Sequence, residues 1–245
     1  MTIVAIHQPG YLPWLGFFKK MMNSEIFVFL DHVQYERKCT QNRNKIRTSD
    51  GSMWLTVPVL SHQDSKINEV KIDETKHWSL KHKKSIILNY SKAPFFDEHK
   101  DFLEHLYGTT YDRLLDLNLE IIKYVMKVLE IKTKTFLSSE LNVEGKGSEM
   151  VLNICKAMKC DLYISGTLWA RNHLHVEDFK KNGMMVQFEN FNHPVYRQKF
   201  EPFIPNMSII DLLFNEGKNA KDILRNVNNF IISIDDSQGS SENRV

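Results

Sequence analysis

At the amino terminus the apolar positions change period twice. Thr2 to Ile6 is a short apolar, β-branched run, and His7-Gln8-Pro9-Gly10 follows with residues that end strands and shape turns. Beyond Pro13, the residues Trp14, Leu15, Phe17, Phe18, Met21 and Met22 recur at helical spacing, with Pro13 placed at the first helical position. A second apolar run, Ile26 to Leu30, ends on Asp31. The pattern predicts a βαβ unit with polar residues at the carboxyl ends of both strands, the edge where open α/β sheets bind ligands. For His7, Gln8 and Tyr11 a hydrogen-bonded turn is the structural reading and a ligand site the functional one.

Further along, Asp50-Gly51 marks a turn, and Met53 to Val59 reads as a strand with Val70-Lys71-Ile72 as a short partner. A basic amphipathic helix is predicted from Trp78 to about Tyr90, with His77, Lys81, His82, Lys83 and Lys84 on its wet side. Two more helices follow, Phe95 to Tyr107 and Tyr111 to Leu129, the second apolar on more than one stripe. The α/β rhythm then resumes. Lys134 to Leu137, Asp161 to Ile164 and Met184 to Phe188 read as strands, and Gly147 to about Met158 as a helix with Ser148 as its N-cap. A turn of helix at Trp169 to His173 and a helix at Val176 to Asn182 closed by Gly183 complete this part. Near the end, Ser208 caps Ile209 to Phe214, and Gly217 ends the turn. Asp211 and Asn215, four apart, share a helix face and are read as holding a loop in place.

These elements imply one α/β domain over residues 1–230, with a Rossmann-like, mostly parallel sheet that begins with the βαβ unit and a helical middle layer over about 77–130. Residues 231–245 read as a disordered tail, rich in Ser, Asp, Glu and Asn from Asp235 onward. Composition changes the picture little. Hydrophobic residues at 42% and charged residues at 25% are ordinary, and a formal charge of +2 argues for neither nucleic acid nor an anionic membrane as a global partner. No apolar run approaches the roughly 18 residues of a membrane span, and a strand that starts within two residues leaves no room for a signal peptide. The expected location is the cytoplasm. Three cysteines, Cys39, Cys155 and Cys160, without a CxxC pair suggest neither a disulfide framework nor a zinc site. No metal-ligand spacing is evident.

Charge matters locally. After Asp31 come His32, Gln34, Glu36, Arg37, Lys38, Gln41, Asn42, Arg43, Asn44, Lys45 and Arg47. One reading is a solvated loop or helix face. The other is an anion pocket beside the sheet edge, in which Arg37, Arg43 and Lys45 hold phosphate while Gln8, Gln41 and Asn42 orient polar ligand groups. Ser165-Gly166-Thr167 after a strand can present backbone N–H groups to a phosphate, though many connections use these residues only to turn. His193, in a Pro-bounded loop, is the second histidine besides His7 whose setting looks arranged. A near-neutral pKa would suit either to proton transfer.

Several blocks in order carry a resemblance: IHQPGYLPWLGFF, then FLDHVQYERKCTQNRNKIRT with WLTVPV, then ISG with Ala170-Arg171, and finally HPVY with FEP and MSIIDLLFNEG. Together, over about residues 3–217, they resemble the WbqC-like protein family. Members occur among genes for bacterial O-antigen and other surface polysaccharides. The resemblance implies attachment of a small acyl or aminoacyl group, with glycyl transfer suggested for the family, to the amine of a nucleotide-linked or lipid-linked amino sugar. His7 and His193 are then the candidate catalytic residues. Gln8, Tyr11, Asp31, Gln34, Arg37, Gln41, Asn42, Arg43, Lys45, Ser165, Gly166, Arg171 and Tyr196 are the candidate binding residues. The first loop, with Tyr11-x-Pro13 and Gly16, is also similar to that of nucleotidyltransferases and pantothenate synthetase. That similarity implies ATP with Mg²⁺ for carboxylate activation, although the second histidine position of their motif reads Gly16-Phe17. A charged tRNA is the other conceivable donor. The competing classes are a non-catalytic sugar-nucleotide binding or scaffold protein and a nucleotidyltransferase.

Overall fold

The computed structural model describes residues 1–166, 173–227 and 230–232. Its strands are β1 (Ile3–His7), β2 (Ile26–Phe29), β3 (Arg43–Thr48), β4 (Gly51–Thr56), β5 (Val59–Leu60), β6 (Lys71–Ile72), β7 (Lys134–Leu137), β8 (Leu162–Gly166), β9 (Met185–Asn190) and β10 (Phe230–Ile232). The α-helices among the described residues are α1 (Leu15–Met22), α2 (Trp78–Tyr90), α3 (Lys100–Gly108), α4 (Leu114–Val128), α5 (Gly147–Ala157), α6 (Val176–Lys181), α7 (Ile209–Glu216) and α8 (Asn219–Arg225).

The main sheet runs β10-β9-β8-β1-β2-β7. Its five strands from β9 to β7 are parallel, and β10 adds an antiparallel edge. This is a Rossmann-like α/β fold. The chain builds outward from β1 through β2 to β7, then returns to the other side of β1 for β8 and β9. The direction of winding therefore reverses between β1 and β8, and the crevice at their carboxyl ends is the topological switch point.

Strand alternation splits the core into two layers. Ala5, Phe27, Phe29 and Ile164 face α1 and the helical layer of α2, α3, α4, α7 and α8. Val4, Ile6, Val28, Tyr163, Val186 and Phe188 face the opposite side, with α5 and α6. The broad apolar surface of α4, from Leu114 to Val125, is buried on the first side, as its double stripe implies.

Several local expectations need correction. Pro13 lies outside α1, because Trp14 is the N-cap and forms an antiparallel bridge with Ser208. Ser148 lies inside α5, whose N-cap is Lys146, and its hydroxyl accepts from the His175 N–H at 2.9 Å. His82, expected on the wet side of its helix, is buried. The polar run 43–48 is not a loop or helix face but strand β3, paired antiparallel with β4 across the Asp50-Gly51 turn. The expected strand from Met53 to Val59 is interrupted at Val57-Pro58: its first part belongs to β4 and pairs with β3, and only Val59, in β5, meets Ile72 of the expected partner. At the carboxyl end, Ile231 and Ile232 belong to β10 rather than to a tail. Residues 233–245 and most of the expected turn at Trp169 to His173, with Arg171, lie outside the described residues. No helix among the described residues is long and apolar enough to cross a membrane.

Candidate functional site

His7 is the last residue of β1 and so stands at the switch point. Its ring packs edge-on against Phe17 of α1, with centroids 5.1 Å apart. Nδ1 donates to the Gln8 carbonyl at 2.8 Å, which leaves Nε2 as the acceptor of the neutral ring. Burial, and then the nearby Lys20 ammonium, lower the pKa from 6.5 to about 4, against a smaller opposing pull from the Gln8 carbonyl. Lys20 is itself buried. Its Nζ donates to the Ile6 carbonyl at 2.8 Å, and desolvation brings its pKa down to about 8 while Glu189 pulls it up. Glu189, at the carboxyl end of β9, accepts from Asn23 Nδ2 at 2.9 Å. A buried cation and a buried carboxylate therefore support the switch point from the α1 side. Lys20 and Glu189 carried no sequence signal beyond ordinary helix and strand positions.

The polar run after β2 lies directly on the loop that follows β1. Gln41 Nε2 donates to Gln8 Oε1 at 2.8 Å, and the Tyr11 N–H is shared between the Thr40 and Gln41 carbonyls at 3.1 Å each. Asn44 Nδ2 donates to the Leu12 carbonyl at 2.6 Å. Gly10 permits this approach, because a Cβ there would meet the Thr40 oxygen at 2.9 Å. Several residues expected at a ligand are committed to the chain itself. Gln41 is buried and also receives the Glu36 N–H, and Asn42 Nδ2 donates to the Val57 carbonyl at 2.8 Å. Tyr11 has no exposed surface. Its hydroxyl bonds His82 Nδ1 at 2.8 Å and the Tyr107 hydroxyl at 2.7 Å.

The cations behave differently. Arg37 is exposed and donates to the Ser61 carbonyl at 3.3 Å, and exposed Gln34 donates to the Gln63 carbonyl at 2.7 Å. Arg43 and Lys45 lie over the half-exposed Trp54 ring, 4.4 and 5.0 Å from its centroid. Arg43 also donates to the Lys38 carbonyl. Among the described residues, no carboxylate forms an ion pair with Arg37, Lys38, Arg43 or Lys45. A run of cations without counter-charge beside an exposed indole can take phosphate and stack a flat or sugar-like group. Trp54 was missed because its strand was not paired with 43–48. The alternation across Asp50-Gly51 was the available signal.

The other expected residues divide. Asp31 is buried at the end of β2 and accepts from the Ser138 and Ser139 hydroxyls at 2.9 and 2.6 Å and from the Ser139 N–H at 2.9 Å. Ser165 is buried while Gly166 is exposed, both at the carboxyl end of β8 across the crevice from His7. His193 donates from Nδ1 to the Pro194 carbonyl at 2.8 Å and sits among Phe191, Tyr196 and Phe203, its Nε2 buried without a partner. Burial lowers its pKa as well. Phe191 in turn packs on Trp14, 5.1 Å between centroids, which brings the His193 loop to the amino end of α1. No hydrogen bond or ring contact joins His193 to His7. Tyr196 is buried, and its hydroxyl donates to Asp211 at 2.7 Å, so it belongs to a structural network with Tyr90 and Gln198. Among the described residues no group of three or more His, Cys, Asp or Glu could hold a metal ion.

The model of the WbqC-like protein family matches residues 8–223, a span that takes in the β1 loop, the basic run and the His193 loop. The chain belongs to that family. This WbqC-like chain is also 34% identical over 231 residues to Rv1507c, an uncharacterized protein of Mycobacterium tuberculosis, covering 92% of this chain and 98% of the relative. No solved structure matches it.

Proposed function

We propose that this protein is an enzyme of bacterial surface-polysaccharide biosynthesis, acting on precursors of the O-antigen type. It would attach a small acyl or aminoacyl group, such as glycyl, to the amine of a nucleotide-linked or lipid-linked amino sugar. The observation that carries the reading is the row Arg37, Arg43 and Lys45, without carboxylate partners among the described residues, on a segment that Gln41 ties to Gln8 beside the switch point where His7 stands. Phosphates of the sugar carrier bind the cations, and Trp54 stacks the attached ring. Activation of the acyl group draws on ATP with Mg²⁺ or on a charged tRNA. The amine nitrogen would form its bond to the activated acyl carbon as the bond from that carbon to AMP or to the tRNA breaks and that group departs, while the Nε2 lone pair of His7 accepts the proton the amine loses.

An unliganded His7 with a pKa of about 4 is a weak base at neutral pH, and this favours one competing reading, a sugar-nucleotide binding protein without turnover. Bound phosphate would raise that pKa by supplying negative charge, which an enzyme needs and a binder does not. His7→Gln separates the two. The enzyme reading expects turnover of an amino-sugar nucleotide, with glycine and ATP or with glycyl-tRNA, to fall by at least about a hundredfold while affinity for the sugar nucleotide stays unchanged. Wild-type protein that binds the sugar nucleotide and turns over neither donor would leave the binding reading in place.

A further inference from the structure

A second polar cleft opens at the carboxyl ends of β2 and β7, away from the switch point. It encloses about 220 Å³, and its walls include His32, Lys66, Asn68, Ser138 and Ser139. Its proton inventory can be worked out. The Asp31 carboxylate is an acceptor only, so the single hydroxyl hydrogen of Ser138 goes to Asp31 Oδ1 at 2.9 Å. The Ser138 oxygen is then an acceptor, and it receives both the Asp31 N–H at 3.1 Å and a bond from His32 Nδ1 at 2.6 Å. His32 is thereby fixed, when neutral, with its hydrogen on Nδ1 and its lone pair on Nε2. That Nε2 is buried and has no partner. Asn68 repeats the pattern, since its Nδ2 donates to Asp31 Oδ2 at 3.4 Å while its Oδ1 is buried and unpartnered.

Two unused acceptors thus lie in the cleft wall, on side chains whose far ends reach one buried carboxylate, Asn68 directly and His32 through the Ser138 hydroxyl. Buried acceptors of this kind are normally satisfied. The missing complement is a donor, and a group with several N–H bonds beside a carboxylate satisfies both at once. We propose that this cleft is a binding site for a primary amine, held by His32 Nε2 and Asn68 Oδ1 and oriented through the Ser138 relay to Asp31. Both atoms are shielded from bulk water, so the amine enters as the side chains of the wall shift. Lys66 adds a like charge there, and Glu69, which also lines the cleft, adds an opposite one. The cleft does not include His7, so the site is separate from the transfer step and does not rest on that reading. Binding itself is measured without any activity.

The test uses full-length protein with isotope-labelled histidine, followed by NMR, with glucosamine, methylamine and glucose as probes. His32→Gln assigns the His32 signals. The free protein should show His32 as the Nδ1–H tautomer, and glucosamine and methylamine should both move its Nε2 resonance while glucose does not. Asn68→Ala should weaken glucosamine binding about tenfold, the loss of one good hydrogen bond. Lys66→Met should tighten it, and Ser138→Ala should abolish the tautomer preference. Asn68→Ala keeps the Asp31–Ser138–His32 chain whole and carries the test if His32→Gln does not fold. An Nε2 resonance unmoved by either amine, an equal shift with glucose, or binding indifferent to Asn68→Ala would overturn the proposal. Amine binding with no turnover of any sugar nucleotide would leave this site standing and remove only the transfer reading.

Discussion

His7 and His82 both occupy positions where an imidazolium would lose its hydration, and burial lowers each pKa from 6.5 to about 4. For His82 this links directly to stability. Between pH 6.5 and 4 the unfolded chain binds a proton that the folded chain refuses, so stability is present above 6.5 and is lost as pH falls towards 4. The loss attributable to this residue is on the order of 3 kcal/mol. Chemical denaturation across that range should therefore show a steep acid slope that His82→Gln flattens. For His7 the Lys20 ammonium adds to the effect of burial, and Lys20→Met should raise the His7 pKa, read from its ring signals in a pH titration. An unchanged His7 pKa in that variant would place the cause in burial alone. None of this could be read from the sequence. His7 was singled out by its place after a strand, but the near-neutral pKa expected of it presumed solvent that Phe17 and α1 exclude.

At the scale of elements, the amides of the polar run were recognised as unusual for the right place and the wrong task. Gln41, Asn42 and Asn44 are spent on carbonyls and side chains of the β1 loop and its neighbours, and the cations between them stay available. A sequence reads Arg and Asn in β3 as equally polar. The pleat turns Asn44 and Ile46 inward, while Arg47, on the opposite face with Arg43 and Lys45, is buried because its guanidinium is held by the Gly51 and Pro202 carbonyls. Gly10→Ala tests the stitching. Its Cβ would meet backbone at Thr40, so the basic loop must shift away from Gln8. The variant should lose ligand affinity by more than its Tm falls, measured by parallel binding and melting experiments. Asp211 shows the opposite kind of element. It is buried on α7 and receives the Tyr90 and Tyr196 hydroxyls at 2.7 Å and Gln198 Nε2 at 2.8 Å. Burial raises its pKa, against the pull of those donors. Asp211→Ala leaves the donors unpaired and should cost about 3 kcal/mol in denaturant titrations, with ligand affinity per folded molecule unchanged.

For the whole molecule, the β-branched runs at Thr2 to Ile6 and Ile26 to Leu30 and the helix between them were enough to foresee the opening βαβ unit, because local periodicity and turn residues agree there. Lys134 to Leu137, Asp161 to Ile164 and Met184 to Phe188 were legible for the same reason. Their order across the sheet was not, since no local pattern says that β8 returns to the far side of β1. That return creates the crevice. It sets Ser165 and Gly166 beside β1 and lets the basic loop, through Gln41 and Gln8, lean over the same edge. The central claim is that this edge binds a phosphate-linked sugar, and thermal melting of wild-type protein and the Arg43→Ala/Lys45→Ala variant with UDP-glucosamine tests it most directly. At saturating ligand the wild-type Tm should rise by about 5 °C or more, and the variant should show little of that rise while melting normally when free. A wild-type Tm that UDP-glucosamine leaves unchanged, or an equal rise in the variant, would contradict the account.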